Sequence, residues 1–199
     1  ATYQVTDPDG NSMLASQAIY DRAVTNGISP KFILVLIQKE QSLVEGANPS
    51  QSRLNWAAGY GCPDGGGCNN RWLGFWKQIN SASLQFRDYI DNPGSYKYQV
   101  GQTYVFSNPY STTFQGDVTV TIANRATAGL YNYTPHVYNG NFNFWNIWRR
   151  YFSKSYLNGS VVQAAGSPGV WLIENGFKRP FMSKSALLSR YDLSRIQIV

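Results

Sequence analysis

The sequence lacks several features that would place it in a common functional class. Its 199 residues include two cysteines and one histidine, which are too few for a closed zinc site. No stretch of 18 apolar residues occurs, so no transmembrane helix is predicted. There is also no glycine-rich phosphate loop, no metal-ligand spacing and no nucleophile elbow. We therefore expect neither a cofactor nor a metal ion.

Charged residues are scarce at 14% of the chain, whereas aromatic residues reach 15%. The formal net charge is nevertheless +6. A basic surface favours polyanions such as nucleic acid, anionic lipid or anionic cell wall, although a charge that serves only solubility fits equally well. The basic residues are scattered, and the nearest pairs are Arg149-Arg150 and Lys178-Arg179. Because no row of cations is visible, a nucleic-acid-binding domain is the weakest alternative, and we expect no nucleic-acid partner.

Both cysteines lie in one short segment, CPDGGGC, which begins at Cys62 and ends at Cys68. The Pro-Asp pair and three glycines between them predict a tight turn, across which a disulfide is geometrically easy. A disulfide favours an oxidising compartment, whereas two free thiols would fit the cytosol. We expect the disulfide, and with it a secreted or cell-envelope protein. No signal peptide is recognisable, so we expect a mature or trimmed chain.

A carboxylate interrupts an apolar stripe in the segment 29–46, which the spacing predicts to be one helix. Ser29 and Pro30 are typical of a helix start, and Gly46 of a helix end. At 3.6 residues per turn, Glu40 falls among apolar residues of one face. These apolar residues are Ile33, Leu36, Ile37 and Val44.

Burial on an apolar face raises the pKa of a carboxyl group, because ionisation there is costly. A glutamate that keeps its proton near neutral pH can act as a general acid, which makes Glu40 the candidate catalytic residue. The alternative is a structural glutamate that is paired with an arginine or capped by backbone donors.

The remaining patterns predict a mainly helical α+β domain over residues 1–152, with a loose polar lead-in at 1–10. Helices are predicted at 11–26, 47–58, 69–90, 124–133 and 142–152, and a small β flap at 96–122. The composition of 153–168 is typical of a linker. Residues 169–199 are predicted to form a small β-rich accessory unit, in which Asn175-Gly176 favours a tight hairpin turn. A unit of this length rarely builds a core alone, so we expect it either to dock on the main domain or to belong to a larger array that is truncated here.

Three segments together resemble a known family. Residues 33–42, ILVLIQKEQS, are similar to an apolar helix that ends in a catalytic glutamate with a nearby serine. Residues 57–61, AAGYG, and residues 128–135, AGLYNYTP, follow in the family's order and rough spacing. The chain thus resembles the lysozyme-like peptidoglycan-cleaving enzymes, which include soluble lytic transglycosylases and goose-type lysozymes. The resemblance covers about residues 11–152.

This resemblance implies a lysozyme-like fold with a small β flap. It also implies that Glu40 protonates the bridging oxygen between N-acetylmuramic acid and N-acetylglucosamine in peptidoglycan. We expect the protein to bind peptidoglycan glycan strands as a monomer. The substrate-binding residues that the resemblance implies are Ser42, Gly59, Tyr60, Tyr131 and Asn132.

The sequence departs from the family at two positions. Gln41 stands where a serine usually follows the glutamate, and Thr134 replaces the usual glycine before Pro135. Asp64 is the candidate for a second carboxylate, but one-acid chemistry fits better and leaves hydrolysis and lytic transglycosylation both open. His136 has no visible nucleophile partner and is expected to be a polar surface residue. The alternative function is a non-catalytic cell-wall glycan-binding module on the same fold.

Overall fold

A computed structural model describes residues 3–107, 116–153 and 156–199. It confirms an α+β protein with about 45% helix. The chain divides into two compact units, Ala1–Tyr151 and Phe152–Val199. Among the residues described, no helix has both the length and the apolar character needed to cross a membrane.

The first unit contains most of the helices. They are α1 (Ala15–Thr25), α2 (Pro30–Gln41), α3 (Gln51–Asn55), α4 (Phe75–Asp91), α5 (Arg125–Tyr133) and α6 (Asn143–Phe152). Helix α4 is the longest and packs against α1 and α5. The helix predicted from residue 69 begins instead with one 3-10 turn, because Gly74 then takes a positive φ of 111° before α4 starts.

Residues 4–14 form a hairpin, so the prediction of a loose lead-in at 1–10 is wrong for the part of it that the structure describes. Strand β1 (Gln4–Thr6) pairs antiparallel with β2 (Ser12–Leu14). The side chain of Asp7 closes the turn, since its Oδ1 accepts the backbone N–H groups of Asp9 and Asn11. Helix α1 therefore begins at Ala15, four residues later than expected.

Helix α2 begins as predicted but ends at Gln41, five residues before the predicted end. Ser42 takes the left-handed conformation, and the N–H of Leu43 bonds the carbonyl of Ile37, which closes the helix. Arg53 also donates to the carbonyl of Gln41. Val44 consequently lies outside the helix and is 42% exposed.

The predicted flap consists of two strands, β3 (Thr103–Phe106) and β4 (Val118–Thr121), paired antiparallel. Part of the predicted flap loop, 108–115, lies outside the described residues. A small core of the flap and α5 contains Phe106, Ile122, Ala128 and Tyr131. The flap is therefore packed directly on α5, the helix that carries Tyr131 and Asn132.

The second unit contains a four-stranded sheet in the order β7-β6-β5-β8. Its strands are β5 (Val161–Gln163), β6 (Val170–Glu174), β7 (Phe177–Pro180) and β8 (Ile196–Ile198), with a short helix α7 (Lys184–Leu188). Strand β5 lies inside the range 153–168 that was predicted as a linker, because buried Val161 and Val162 place it within the sheet. The predicted turn at Asn175-Gly176 is confirmed, and both residues have positive φ angles.

Candidate active site

Glu40 lies in the last turn of α2 and faces a backbone segment that has no side chain at the point of contact. Its side chain is 22% exposed. A Cβ atom at Gly59 would lie 3.1 Å from Glu40 Oε2 and 3.4 Å from Cδ. Gly59 also has a φ of 67°, which strains any residue other than glycine. The structure thus places residues 57–61, called the Gly-rich segment below, directly against the carboxylate.

Lys39 approaches the same carboxylate from the other oxygen. Its Nζ lies 2.7 Å from Glu40 Oε1, and its side chain is only 5% exposed. The contact is ionic rather than a formed hydrogen bond, since no donor within the described residues meets Oε1 in hydrogen-bond geometry. Lys39 Nζ instead donates a hydrogen bond to Thr134 Oγ1 at 3.0 Å. A buried ammonium group therefore connects Glu40 to the residue that follows α5.

Gln78 fixes the backbone on both sides of Gly59. It lies on α4 and is fully buried. Its Oε1 accepts the N–H groups of Tyr60 at 2.9 Å and Ala58 at 3.3 Å. Its Nε2 donates to the carbonyls of Tyr60 and Trp72, both at 2.9 Å. Gln78 was not predicted as a site residue, although a glutamine on the apolar face of a helix is a signal for such a role.

Tyr133 holds the Gly-rich segment from the other side. Its hydroxyl donates to the carbonyl of Ala58 at 2.8 Å, and its ring stacks on Phe86 with 4.8 Å between centroids. Burial, together with the negative charge of Glu40, raises the pKa of Tyr133 well above its usual value. The phenol therefore stays protonated and remains a hydrogen-bond donor.

Tyr60 follows Gly59 in the chain and is held by contacts of its own side chain. Its ring meets Trp72 edge to face at 5.1 Å, and its hydroxyl donates to Gln85 Oε1 at 3.3 Å. A Cβ atom at Gly61 would lie 2.4 Å from the Trp72 ring, which explains the glycine there. These contacts hold Tyr60 in a fixed position beside Gly59, which itself lies against Glu40.

The Tyr-Asn pair of the resemblance lies in a different environment. Tyr131 is 4% exposed and stacks on Phe106 at 4.3 Å. Burial raises its pKa. The Asn132 amide accepts the N–H of Tyr98 at 3.0 Å and donates to the carbonyls of Tyr98 and Ala128. Both side chains join α5 to the start of the flap, and Tyr133 is the tyrosine that contacts the Gly-rich segment.

Ser42 is exposed at the end of α2, where its backbone N–H bonds the carbonyl of Gln38. Its left-handed conformation ends the helix two residues beyond the catalytic candidate. The position of Ser42 is therefore set by the helix ending, and its side chain is accessible to a ligand.

The segment 62–68 contains the predicted disulfide, which is confirmed between Cys62 and Cys68. Asp64 lies within this loop, and its Oδ2 is 2.9 Å from His136 Nε2. The His136 side chain is 16% exposed, so it is a largely buried partner of Asp64 rather than the predicted surface residue. This pair ties the disulfide loop to the chain that follows Thr134.

These contacts define what the site can do chemically. The partly exposed carboxyl group of Glu40 has a buried ammonium group at one oxygen and the backbone of Gly59 at the other. In its protonated form such a group can donate a proton to a ligand that reaches it, and in its ionised form it can accept one. In the part of the chain that the structure describes, no group of three histidine, cysteine, aspartate or glutamate side chains is arranged to hold a metal ion.

Comparisons with protein-family models, with curated proteins and with solved structures find no match to this chain.

Proposed function

We propose that the protein cleaves the β-1,4 bond between N-acetylmuramic acid and N-acetylglucosamine in peptidoglycan, on a lysozyme-like fold. Glu40 acts as the single general acid and base. The observation that supports this most strongly is the direct approach of Gly59 to Glu40 Oε2. It joins the first two segments of the family resemblance in one site, although residues 43–56 separate them in the sequence.

In the first step Glu40 donates its proton to the bridging oxygen, and the bond between that oxygen and the anomeric carbon breaks. The missing side chain at Gly59 lets the backbone of residues 57–61 lie against the carboxyl group without displacing it. Lys39 stabilises the negative charge that Glu40 acquires after donation. Because Gln78 and Tyr133 already hold the Gly-rich segment, little reorganisation is needed when the ligand binds.

In the second step a nucleophile attacks the anomeric carbon and returns its proton to Glu40. The nucleophile is water in a hydrolase, or the 6-hydroxyl of the same muramic acid residue in a lytic transglycosylase. The Asp64 carboxylate is engaged with His136. This engagement favours the one-carboxylate reaction over a two-acid mechanism.

The disulfide supports a location in an oxidising compartment, and we assign the protein to the cell envelope or the secreted fraction. The substrate proposed here occurs in that compartment. The second unit would then be an accessory to the cleaving unit.

A non-catalytic glycan-binding module is the alternative. The ion pair between Lys39 and Glu40 favours it, because a carboxylate that is already paired in a largely buried site is also a common structural arrangement. In that case the fold would bind peptidoglycan without breaking it.

The test is mass spectrometry of purified peptidoglycan after incubation with the protein. We expect soluble muropeptides whose glycan ends lie at N-acetylmuramic acid, carrying either reducing or 1,6-anhydro termini. The termini distinguish hydrolysis from transglycosylation. Sedimentation of the protein with insoluble peptidoglycan, without any soluble product, would contradict cleavage and support the binding module.

A further inference from the structure

We propose that Thr134 is a positioning residue, which holds the Lys39 ammonium group against Glu40 during cleavage. This inference rests on the proposed function, because it assigns Thr134 a part in that reaction. The hydrogen bond from Lys39 Nζ to Thr134 Oγ1 and the 2.7 Å contact of Nζ with Glu40 Oε1 are the observations that carry it.

Neighbouring residues of a helix do not face each other, because successive side chains point about 100° apart. Lys39 and Glu40 therefore make contact only if the lysine side chain is turned towards the carboxylate and kept there. Thr134 lies 95 residues further along the chain and provides the oxygen that keeps it there. With 5% exposure, the ammonium group has little access to water, so its position depends on these two protein partners.

Thr134 is itself held by several contacts. Its N–H donates to the carbonyl of Leu130 at 2.9 Å. Its carbonyl accepts a hydrogen bond from Asn141 Nδ2 at 3.1 Å. A Cβ atom at Gly140 would lie 3.2 Å from Thr134 Cγ2, so this glycine allows a close approach. Gly140 and Asn141 belong to the π-type turn Val137–Phe142, a conformation that often occurs at functional sites.

The identity of residue 134 therefore has a chemical consequence for Lys39. A glycine at 134, as the resemblance would lead one to expect, has no hydroxyl group and would leave Lys39 without its second partner. With threonine, the ammonium group is fixed where negative charge develops on Glu40 as its proton moves to the bridging oxygen. An interaction that strengthens in the transition state raises kcat and leaves KM nearly unchanged.

The experiment measures kcat and KM on soluble peptidoglycan fragments for the wild type, Thr134→Val, Thr134→Ser, Lys39→Met and the double variant Lys39→Met/Thr134→Val. Thr134→Val keeps the shape of the side chain but removes its oxygen. We expect kcat to fall about threefold to tenfold with KM unchanged, whereas Thr134→Ser keeps kcat near that of the wild type. We expect Lys39→Met to lower kcat about tenfold to a hundredfold.

The double variant should be no slower than Lys39→Met alone, because Thr134 acts only through Lys39. Additive losses, equal kcat for the valine and serine variants, or a change confined to KM would overturn the inference. If Lys39→Met does not fold, as judged by circular dichroism, the kcat of Thr134→Val compared with that of Thr134→Ser decides whether the inference holds. A wild type that does not cleave peptidoglycan overturns the proposed function and this inference together, whereas an active wild type with unaffected variants overturns this inference alone.

Discussion

Gly59 and Glu40 are in direct contact, and a side chain at Gly59 would meet the carboxylate. The distance from a Cβ atom at residue 59 to Glu40 Oε2 would be 3.1 Å, which is tighter than most contacts of this kind. A substitution there would therefore displace the carboxyl group or the backbone segment. Either displacement alters the geometry on which proton donation depends.

Gly59→Ala is expected to lower cleavage by tenfold or more, because a shift of about 1 Å at a catalytic group can cost about a hundredfold in rate. Alanine in a left-handed conformation also lowers the free energy of unfolding by about 1–2 kcal/mol. The matched control is Gly10→Ala, since Gly10 has a similar φ of 87° but no atom within 4 Å of a Cβ. Equal cleavage by the two variants would show that the contact with Glu40 is irrelevant.

The sequence predicted the elements around this contact better than it predicted how they end. The start of α2 at Pro30 follows from local preferences, as does the turn at Asn175-Gly176. The end of α2 comes instead with the left-handed conformation of Ser42 and with the Arg53 side chain, which donates to the carbonyl of Gln41 from another element. Helical periodicity carries no information on such a long-range contact.

The side chains around Glu40 could be predicted only in part, because their directions also depend on contacts between residues that are distant in sequence. Helical spacing identified Glu40 as unusual, but the direction of Lys39 depends on Thr134, which is distant in sequence. The resemblance directed attention to Tyr131, whereas the structure brings Tyr133 to the Gly-rich segment. Two positions along a helix change the direction of a side chain by about 200°, so only the packing of α5 decides which tyrosine reaches residues 57–61.

Tyr133→Phe and Tyr131→Phe should therefore have different effects. Removal of the Tyr133 hydroxyl breaks its hydrogen bond to Ala58 and loosens the segment that faces Glu40. We expect a loss of about 1 kcal/mol in the free energy of unfolding and a severalfold drop in the cleavage rate. Tyr131→Phe keeps the ring stacked on Phe106 and should leave the rate near that of the wild type. The opposite order of rates would favour the role that the resemblance implies for Tyr131.

Gln78→Met tests whether the hydrogen bonds of Gln78 hold the Gly-rich segment in place. The change keeps a similar volume but removes four hydrogen bonds, so backbone groups of Ala58, Tyr60 and Trp72 lose a buried partner. We expect the free energy of unfolding, measured by urea denaturation, to fall by about 3 kcal/mol or more. Gln17→Met is the control, because Gln17 is exposed on α1 and should change stability by less than about 0.5 kcal/mol. Equal stability of both variants would contradict the structural role of Gln78.

The central claim is that the Glu40 carboxyl group donates the proton that breaks the glycosidic bond. Its most direct test is the rate of release of soluble muropeptides from purified peptidoglycan by the wild type, Glu40→Gln and Glu45→Gln. Glu45 belongs to the same unit, and its side chain is about half exposed in an ion pair with Arg150, so it is a matched control for the loss of a carboxylate. The account predicts that Glu40→Gln, while folded as judged by circular dichroism, releases at least about a hundredfold less product than the wild type, and that Glu45→Gln releases product at nearly the wild-type rate. Release by folded Glu40→Gln at the wild-type rate would contradict it.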